Sequence, residues 1–547
     1  MNNLTNKQVR ELRKQFRESK NHKEVKPVSL VGDSSDTTIL FNVAGMQQLV
    51  PYLVGKDHPN GTRLYNIQKC LRNNDIDDIG DERHLSMFEM MWNRSLWDYF
   101  KKESLERTVE FLTSPEYLGI DINKLGGTIF AGGGIVPRDD FAFETLQRLG
   151  IKHITEIGFD DKQESDNFWT PGAVGPCGPC CEFYYDRGDD WYIYIDPISG
   201  QDMPSDRKLG INDRYTEIRN NVFMEYYGDN GTLTPLSQQN VDTGMWFERL
   251  CMVLQGKDTA FDTDIFTPYI YILEEYSRRW SSYLNNPKSY RIAIDHLRAA
   301  AFLISDGILP SNEWRGYVVR RLIRRMYYNI LSKIIFDKSK VYILLKTLIK
   351  KIYTDYSLYY DNFEKSEYIY NIIKKECEWF QKTIKNWIWH FNNLIKNNNN
   401  QISGQDSFKL YDTYWLPFDI VKDLCEDRLP VIYVSKAEFE IEMEKAKELS
   451  RKWANFAKWT DWSIYIGWLP ETIFLWYKEL ELSDSKLLKH FILQENGQRV
   501  FIFDKTVFYA ESGGQKGDSW YITLDDNSII YVCDTIKFAG VYMHISW

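Results

Sequence analysis

Two short runs of this chain hold residues whose types and spacing suit chemistry on a charged substrate. In Asn240–Leu254, NVDTGMWFERLCMVL, one carboxylate (Asp242) and a glycine turn (Thr243-Gly244) precede an acid–arginine pair (Glu248-Arg249) and an apolar helix. An arginine a few residues after an aspartate suits a site that holds an amine at one end and a polyphosphate at the other. In Tyr65–Phe100, Arg72 lies on a strand-type run, an acidic loop follows, and His84-x-x-x-Phe88 opens a second run. A planar guanidinium grips two phosphate oxygens at once and stabilises the extra charge of a five-coordinate phosphorus. Taken singly, Arg72 reads as a surface residue and Phe88 as core. The two runs together give them a joint purpose.

The first run resembles motif 3, and the second motif 2, of class II aminoacyl-tRNA synthetases. The details are similar to the alanyl-tRNA synthetase family. Further similarity lies in FNVAGM (Phe41–Met46), SDNFWTPGAVGPCGPC (Ser165–Cys180), EIRNNVFMEYY (Glu217–Tyr227), SNEWRGYVVRRLIRR from Ser311, FKLYDTYWLPFD from Phe408 and YAESGGQKGD from Tyr509. These segments run collinearly over nearly the whole chain, which is more specific than any one of them. The resemblance implies that Arg72 holds the α-phosphate, and that Phe88 and Arg249 sandwich adenine, with His84 in the same ATP motif. It implies that Asp242 takes the ammonium of alanine, that Trp169, Val222 and Gly244 wall its pocket, and that Asn220 lies near the carboxylate. Asn312 and Asp412 match positions that read a G·U pair in the tRNA acceptor stem. The sequence departs from the family at the short acidic loop NNDIDDIGDE, where many members carry a lysine, at Arg219 in place of Trp, and at Trp246 in place of Gly.

The elements that must position these residues follow from pattern. A chain of 547 residues needs about three or four cores. Residues 1–255 mix helical periodicity (Lys7–Ser19 with Val9, Leu12 and Phe16 on one face; Ser104–Leu112; after Met245) with short β-type runs at Thr38–Asn42, Tyr65–Gln68, Met87–Met91, Trp191–Ile195 and Arg219–Tyr226. Strands separated by irregular stretches predict an antiparallel α+β domain. The resemblance makes it a class II synthetase sheet flanked by helices, the catalytic domain. Residues 256–460 read as helical, with a polar loop at Asn397–Asn400, and by resemblance as the tRNA-recognition domain. Residues 461–547 read as β-rich, with runs at Arg499–Phe503 and Ser528–Cys533 and a turn at Ser512–Gly514, similar to the opening of that family's editing region.

Composition excludes several classes. No apolar run reaches the ~18 residues that span a bilayer, so no membrane partner is expected. The eight cysteines are scattered, which favours a reducing cytoplasm. Cys177-x-x-Cys180 is one pair without a second, so no metal is assigned here, and Pro176 and Pro179 predict a tight loop over the pocket. The net charge of −10 is locally reversed in Arg315–Arg325, RGYVVRRLIRR, which has no acid. Arg320, Arg321, Arg324 and Arg325 form one helical stripe, and uncompensated like charges favour a phosphate partner such as the tRNA backbone.

Tryptophan occurs 18 times and glycine only 32 times in 547 residues, below the usual ~7% for glycine. Against the family pattern, Trp92, Trp97, Trp246, Trp314, Trp415, Trp476, Trp520 and Trp547 fall on expected glycines. Overpacking costs about 1–3 kcal/mol even for added methylenes. The expectation is that these positions are UGA codons, decoded as glycine by the source organism and written as Trp in a conceptual translation.

The implied reaction forms alanyl-adenylate from alanine and ATP with Mg²⁺, then charges alanine tRNA. It proceeds by positioning and electrostatics, without a nucleophilic side chain. An alanine pocket cannot strongly exclude glycine or serine. Zinc is expected only in a hydrolytic editing domain that this chain lacks, since His544 has no partner at His-x-x-x-His spacing. A truncated, monomeric protein is expected. The alternative is a catalytically inactive tRNA-binding pseudo-synthetase.

Overall fold

The computed structural model describes residues 3–31, 40–45, 49–160, 164–171, 174–188, 214–229, 231–277, 281–312, 314–335, 337–361, 363–397, 401–414, 416–426, 428, 432–446, 466, 469–475, 482–493, 498–510, 518, 520–524 and 528–546. The chain forms two compact units: Met1–Ser311 with Arg315–Phe380, and Asn312–Trp314 with Gln381–Trp547. The expected run Trp191–Ile195, the turn Ser512–Gly514, and Trp415, Trp476 and Trp547 lie outside the described residues.

The first unit is α+β, as expected. Its sheet contains β1 (Lys23–Glu24), β2 (Arg63–Leu71), β3 (Met87–Leu96), β4 (Leu125–Phe130), β5 (His153–Ile157), β6 (Phe168–Trp169), β7 (Val174–Asp186), β8 (Tyr215–Asp229) and β9 (Thr232–Trp246). The order is β1-β2-β3-β9-β8-β7-β4-β5, with β6 on β7. Pairing is antiparallel except at the edges, where β1–β2 and β4–β5 are parallel. Helices α1 (Asn6–Ser19), α2 (Val50–Leu53), α3 (Lys101–Thr113), α4 (Asp140–Arg148), α5 (Phe247–Leu254), α6 (Thr267–Tyr276), α7 (Pro287–Ser305), α8 (Trp314–Asn329) and α9 (Lys338–Tyr356) follow in chain order, and α10 (Ser366–Asn397) belongs to this unit only as far as Phe380.

Helix α1 begins at a capping box, Thr5 with Gln8, which satisfies two orphan donors of the first turn. Its buried face holds Val9 and Phe16 as expected, with Arg13 and Arg17 beside them, while Leu12 is only half-buried. A fully buried arginine must find acceptors. Arg13 donates to the Asn66 carbonyl at 3.1 Å and to the Trp92 carbonyl.

Two local expectations need correction. Residues 40–42 do not form a strand. Asn42 is tied at single points instead, its N–H to the Leu30 carbonyl (2.8 Å) and its side chain to the Ser29 carbonyl (2.7 Å). The Cys177-x-x-Cys180 segment is not a loop but part of β7. Pro179 is tolerated because the β7–β8 register shifts between Cys177 and Cys180, a bulge where the ladder is already broken, while Pro176 stays in register opposite Tyr227. Gly178 is required there: a Cβ would lie 2.0 Å from the Phe223 carbonyl oxygen.

In the second unit, α11 (Gly404–Tyr414) and α12 (Phe418–Glu426) precede β10 (Ile473–Phe474), β11 (Leu487–Ile492), β12 (Arg499–Phe503), β13 (Lys505–Thr506), β14 (Trp520–Thr523), β15 (Ile529–Phe538) and β16 (Val541–Ser546). The sheet β11-β12-β16-β15-β14 buries Val500, Ile502, Val541 and Met543 in one cluster. His544 is structural: Nδ1 meets the Phe501 carbonyl at 3.0 Å and Nε2 the Thr506 hydroxyl at 2.8 Å. Burial lowers its pKa to about 4.

The tryptophans divide by physical cause. Trp97 (φ 61°) and Trp314 (φ 45°) adopt the left-handed conformation that favours glycine. At Trp97 the turn is forced: Ser95 Oγ accepts the N–H groups of Asp98 (3.2 Å) and Tyr99 (2.7 Å), and Arg63 grips Asp98 through two bonds. The Trp97 indole N–H is also buried without a partner. Relief of the left-handed penalty predicts that Trp97→Gly stabilises the protein by about 1–2 kcal/mol. A urea melt checks this, and a lowered midpoint would show that indole packing outweighs the backbone.

Candidate active site

The pleat of the first sheet gathers the expected residues. Directly paired residues of neighbouring strands point to the same face. Cys70 pairs with Phe88, Met90 with Trp246, Gly244 with Asn220, Asp242 with Val222, Asn220 with Glu182, and Val222 with Cys180. Phe88, Trp92, Arg94, Asp242, Gly244, Trp246, Asn220 and Val222 therefore share one face. The opposite face turns Asn93, Arg219 and Asn221 toward Thr108 of α3. Arg219, the family's Trp position, is fully buried among neutral partners: Asn221 at 2.7 Å, Asn93 at 2.9 Å and Thr108 at 3.1 Å. It takes no part in the site face.

At one end of that face stand the expected nucleotide residues. Arg72 follows β2, its N–H donating to the Ser86 carbonyl at 2.9 Å. Its guanidinium carbon lies 5.3 Å from the Phe88 ring centroid. Arg249, in the first turn of α5, donates to Glu217 at 3.0 Å. Between Phe88 and Arg249 lies the indole of Trp246, stacked on Phe88 at 3.8 Å and 11° and covered by Arg249 at 4.1 Å. His84 is set by Asp81, which accepts the backbone N–H groups of Arg83 and His84 and approaches His84 Nδ1 at 2.5 Å. A polar cleft continues outward, lined by Arg249, Glu217, Arg83, Arg187, Glu82 and Asp258.

At the other end, Asp242 is paired with Arg94, whose Nε lies 2.6 Å from the carboxylate. Burial raises the Asp242 pKa, and Arg94 opposes that shift. Trp92 lies in the apolar cluster with Val222 and Cys180, against which Trp169 packs. Its ring is 4.2 Å from the Arg94 guanidinium, and its indole N–H has no partner. A Cβ on Gly45 would fall 2.2 Å from this ring. Gly244 is also tight, a Cβ there meeting Met90 Sδ at 3.0 Å. Asn220 donates to Glu182 at 3.1 Å, and the Tyr184 hydroxyl to the other Glu182 oxygen at 2.6 Å. Burial, helped by the Glu217 charge, lifts the Glu182 pKa to about 8.

Sequence reading missed Arg94, Glu182 and Tyr184. A signal for Arg94 existed: a cation in a run as apolar as Met87–Leu96 must meet an acid on an adjoining strand. Glu182 carried no such signal, because only the β7–β8 register places it opposite Asn220.

The arginine stripe needs correction. It is compensated by acids distant in sequence: Arg320 and Arg324 reach Glu376 at 3.1 and 2.9 Å, and Arg321 pairs with Asp77. Arg325 donates to the Ile76 carbonyl. The absence of local acid therefore does not argue for phosphate. Asn312 and Asp412, both exposed, belong to the second unit. Among the described residues no group of three or more His, Cys, Asp or Glu side chains is placed to hold a metal ion. No described helix is long and apolar enough to cross a membrane.

A largely antiparallel sheet gathering an aromatic slot, flanking arginines and a buried carboxylate on one face is the layout expected of a class II synthetase. Residues 8–546 match the family described as tRNA synthetases class II (A), and the chain belongs to it. It is 35% identical to the alanine–tRNA ligase of Fusobacterium nucleatum over 99% of this chain and 60% of that protein. Identity is 35% to that of Lactiplantibacillus plantarum over 100% of this chain and 61% of that protein. To that of Borrelia hermsii it is 40%, over 81% of this chain and 73% of that protein. The chain thus spans about 60% of the length of the first two relatives.

The Glu182 shift sets a pH dependence. A carboxyl whose pKa rises from 4.5 to about 8 on folding stabilises the folded state fully below 4.5, and that stability is lost as pH rises to 8. Glu182→Gln keeps an acceptor and removes the titration. Thermal melts across that window are expected to show a smaller fall in Tm for the variant than for the parent. Parallel curves would refute the assignment.

Proposed function

We propose that this protein activates alanine with ATP to alanyl-adenylate and transfers the alanyl group to the 3′ end of alanine tRNA. The carrying observation is the single sheet face with Phe88 at one end and Asp242 at the other, its Phe88 end flanked by Arg72 after β2 and by Arg249 of α5. Family membership and relatives named alanine–tRNA ligase support the same reading.

In the first step a carboxylate oxygen of alanine attacks the ATP α-phosphorus, and the bond to the pyrophosphate oxygen breaks. Arg72 stabilises charge on the α-phosphoryl oxygens, while Phe88 and Arg249 hold adenine, with His84 at the edge of the motif. Asp242 orients the ammonium within walls of Trp169, Val222 and Gly244, and Asn220 meets the carboxylate. Because Arg94 already neutralises Asp242, substrate binding requires the two to share the carboxylate. Glu217 and Glu82 line the cleft with oxygen donors of the kind Mg²⁺ takes beside phosphates. When bound there, Mg²⁺ offsets phosphate charge. In the second step a ribose hydroxyl of the tRNA 3′-adenosine attacks the acyl carbon and AMP leaves.

Residues 1–255 form the proposed catalytic domain, 256–460 the tRNA-recognition domain and 461–547 the β-rich start of an editing region. Asn312 and Asp412 read the acceptor stem. Contact of Arg320, Arg321 and Arg324 with the tRNA backbone requires phosphate to replace Glu376 and Asp77. A monomeric cytoplasmic protein fits this role. One observation favours the alternative of a catalytically inactive tRNA-binding pseudo-synthetase, namely the indole of Trp246 beside Arg249.

Alanine-dependent ATP–pyrophosphate exchange tests the reading, run on the chain as written and on Trp246→Gly. Exchange is expected in Trp246→Gly, and Arg72→Ala in that form is expected to lower kcat by about 10²–10³-fold, the scale for losing one transition-state donor. No exchange in either form would leave the pseudo-synthetase.

A further inference from the structure

The slot between Phe88 and Arg249 already contains a flat bicyclic ring. Trp246 is 6% exposed, stacks on Phe88 at 3.8 Å and 11°, and lies under Arg249 at 4.1 Å. Arg72 approaches the same ring at 5.0 Å. One face of the indole is thus taken by an aromatic ring and the other by a guanidinium, the two surfaces that a purine would use. Stacking and cation–π contact are both favourable, and both are stronger away from water. Indole and purine are close in size, so the two cannot share the gap.

We propose that the Trp246 indole is a built-in occupant of the nucleobase slot, so that position 246 gates the site and the chain as written is closed to ATP. The inference rests on the functional reading above, since it takes the slot to be a nucleotide site. The backbone at Trp246 is extended (φ −70°, ψ 114°), so conformation does not demand glycine there. The demand is for space. Met90, directly across the β3–β9 ladder, keeps the side chain of residue 246 over the site face. Apparent affinity for a nucleotide falls by the fraction of molecules in which the slot is open. Glycine at 246 leaves it open in all of them.

Calorimetric titration of the full chain with Mg²⁺–ATP, and with adenosine as a base-only probe, tests the gate. Trp246→Gly and Trp246→Ala are expected to bind both probes at least tenfold more tightly than the chain as written. Trp246→Phe is expected to remain weak. Circular dichroism establishes folding, and if the glycine variant misfolds the alanine variant carries the comparison. Equal affinities for the parent and the small-residue variants, including no binding by any, would overturn the gate. Exchange run in parallel separates the two ideas. Tighter ATP binding without alanine-dependent exchange supports the gate and refutes the activation reading. Exchange without any gain in binding overturns the gate alone.

Discussion

Two buried carboxylates hold the site together. Glu248 accepts the backbone N–H of Glu89 at 3.0 and 3.2 Å and the Arg298 guanidinium at 2.5 Å. Glu89 pairs with Arg10 and accepts the Tyr360 hydroxyl at 2.6 Å. Both side chains are fully buried. Burial works against the charge on both, yet Arg10 and Arg298 keep the Glu89 pKa low, while Glu248 is raised by burial and by Glu89 itself. Glu248 precedes Arg249, and Glu89 follows Phe88. The clamp between the two acids therefore sets the distance between the two walls of the aromatic slot. Removing one partner from such a buried network costs about 3–5 kcal/mol, against a total stability of about 5–15 kcal/mol.

The same logic runs along the sheet. Strand β3 is buried over its whole length, so each polar side chain on it needs a partner on a neighbour. Arg94 finds Asp242 on β9, Asn93 finds Thr243 and Arg219, and Glu89 finds Arg10. A slip of one residue would turn all of these to the wrong face. Register is fixed by polar pairing as much as by apolar burial, and the site inherits that register.

Strands β2, β3 and β8 and helices α1, α3 and α5 were legible because periodicity is local, whereas β4, β5, β7 and β9 were not read as strands. Arg499–Phe503 in the second unit matches its strand bounds as well. Arg72, Phe88 and Arg249 were singled out together through the family resemblance, and the structure gathers all three around the Trp246 ring. What escaped was what depends on long-range pairing. The arginine stripe looked uncompensated because Glu376 and Asp77 lie far away in sequence. The Cys177–Cys180 segment looked like a loop because proline and glycine punctuate it. Only the β8 partner reveals a bulge that accepts both. Glu182 carried no local signal, since the β7–β8 pairing is what buries it against Tyr184 and Asn220.

The tryptophans at expected glycine positions do not share one physical problem, and that bears on what put them there. At Trp97 and Trp314 the difficulty is conformation, a positive φ that only glycine adopts without penalty. Trp246 has ordinary backbone angles, and its difficulty is occupancy of a slot. Trp92 is accommodated in an apolar cluster, at the cost of an unpaired indole N–H and near-contact with the Gly45 backbone. Trp520, at 62% exposed, meets no evident obstacle. Selection for a tryptophan function would be expected to favour one kind of environment. The five described sites share no such environment, in keeping with the expectation that these positions are decoded as glycine.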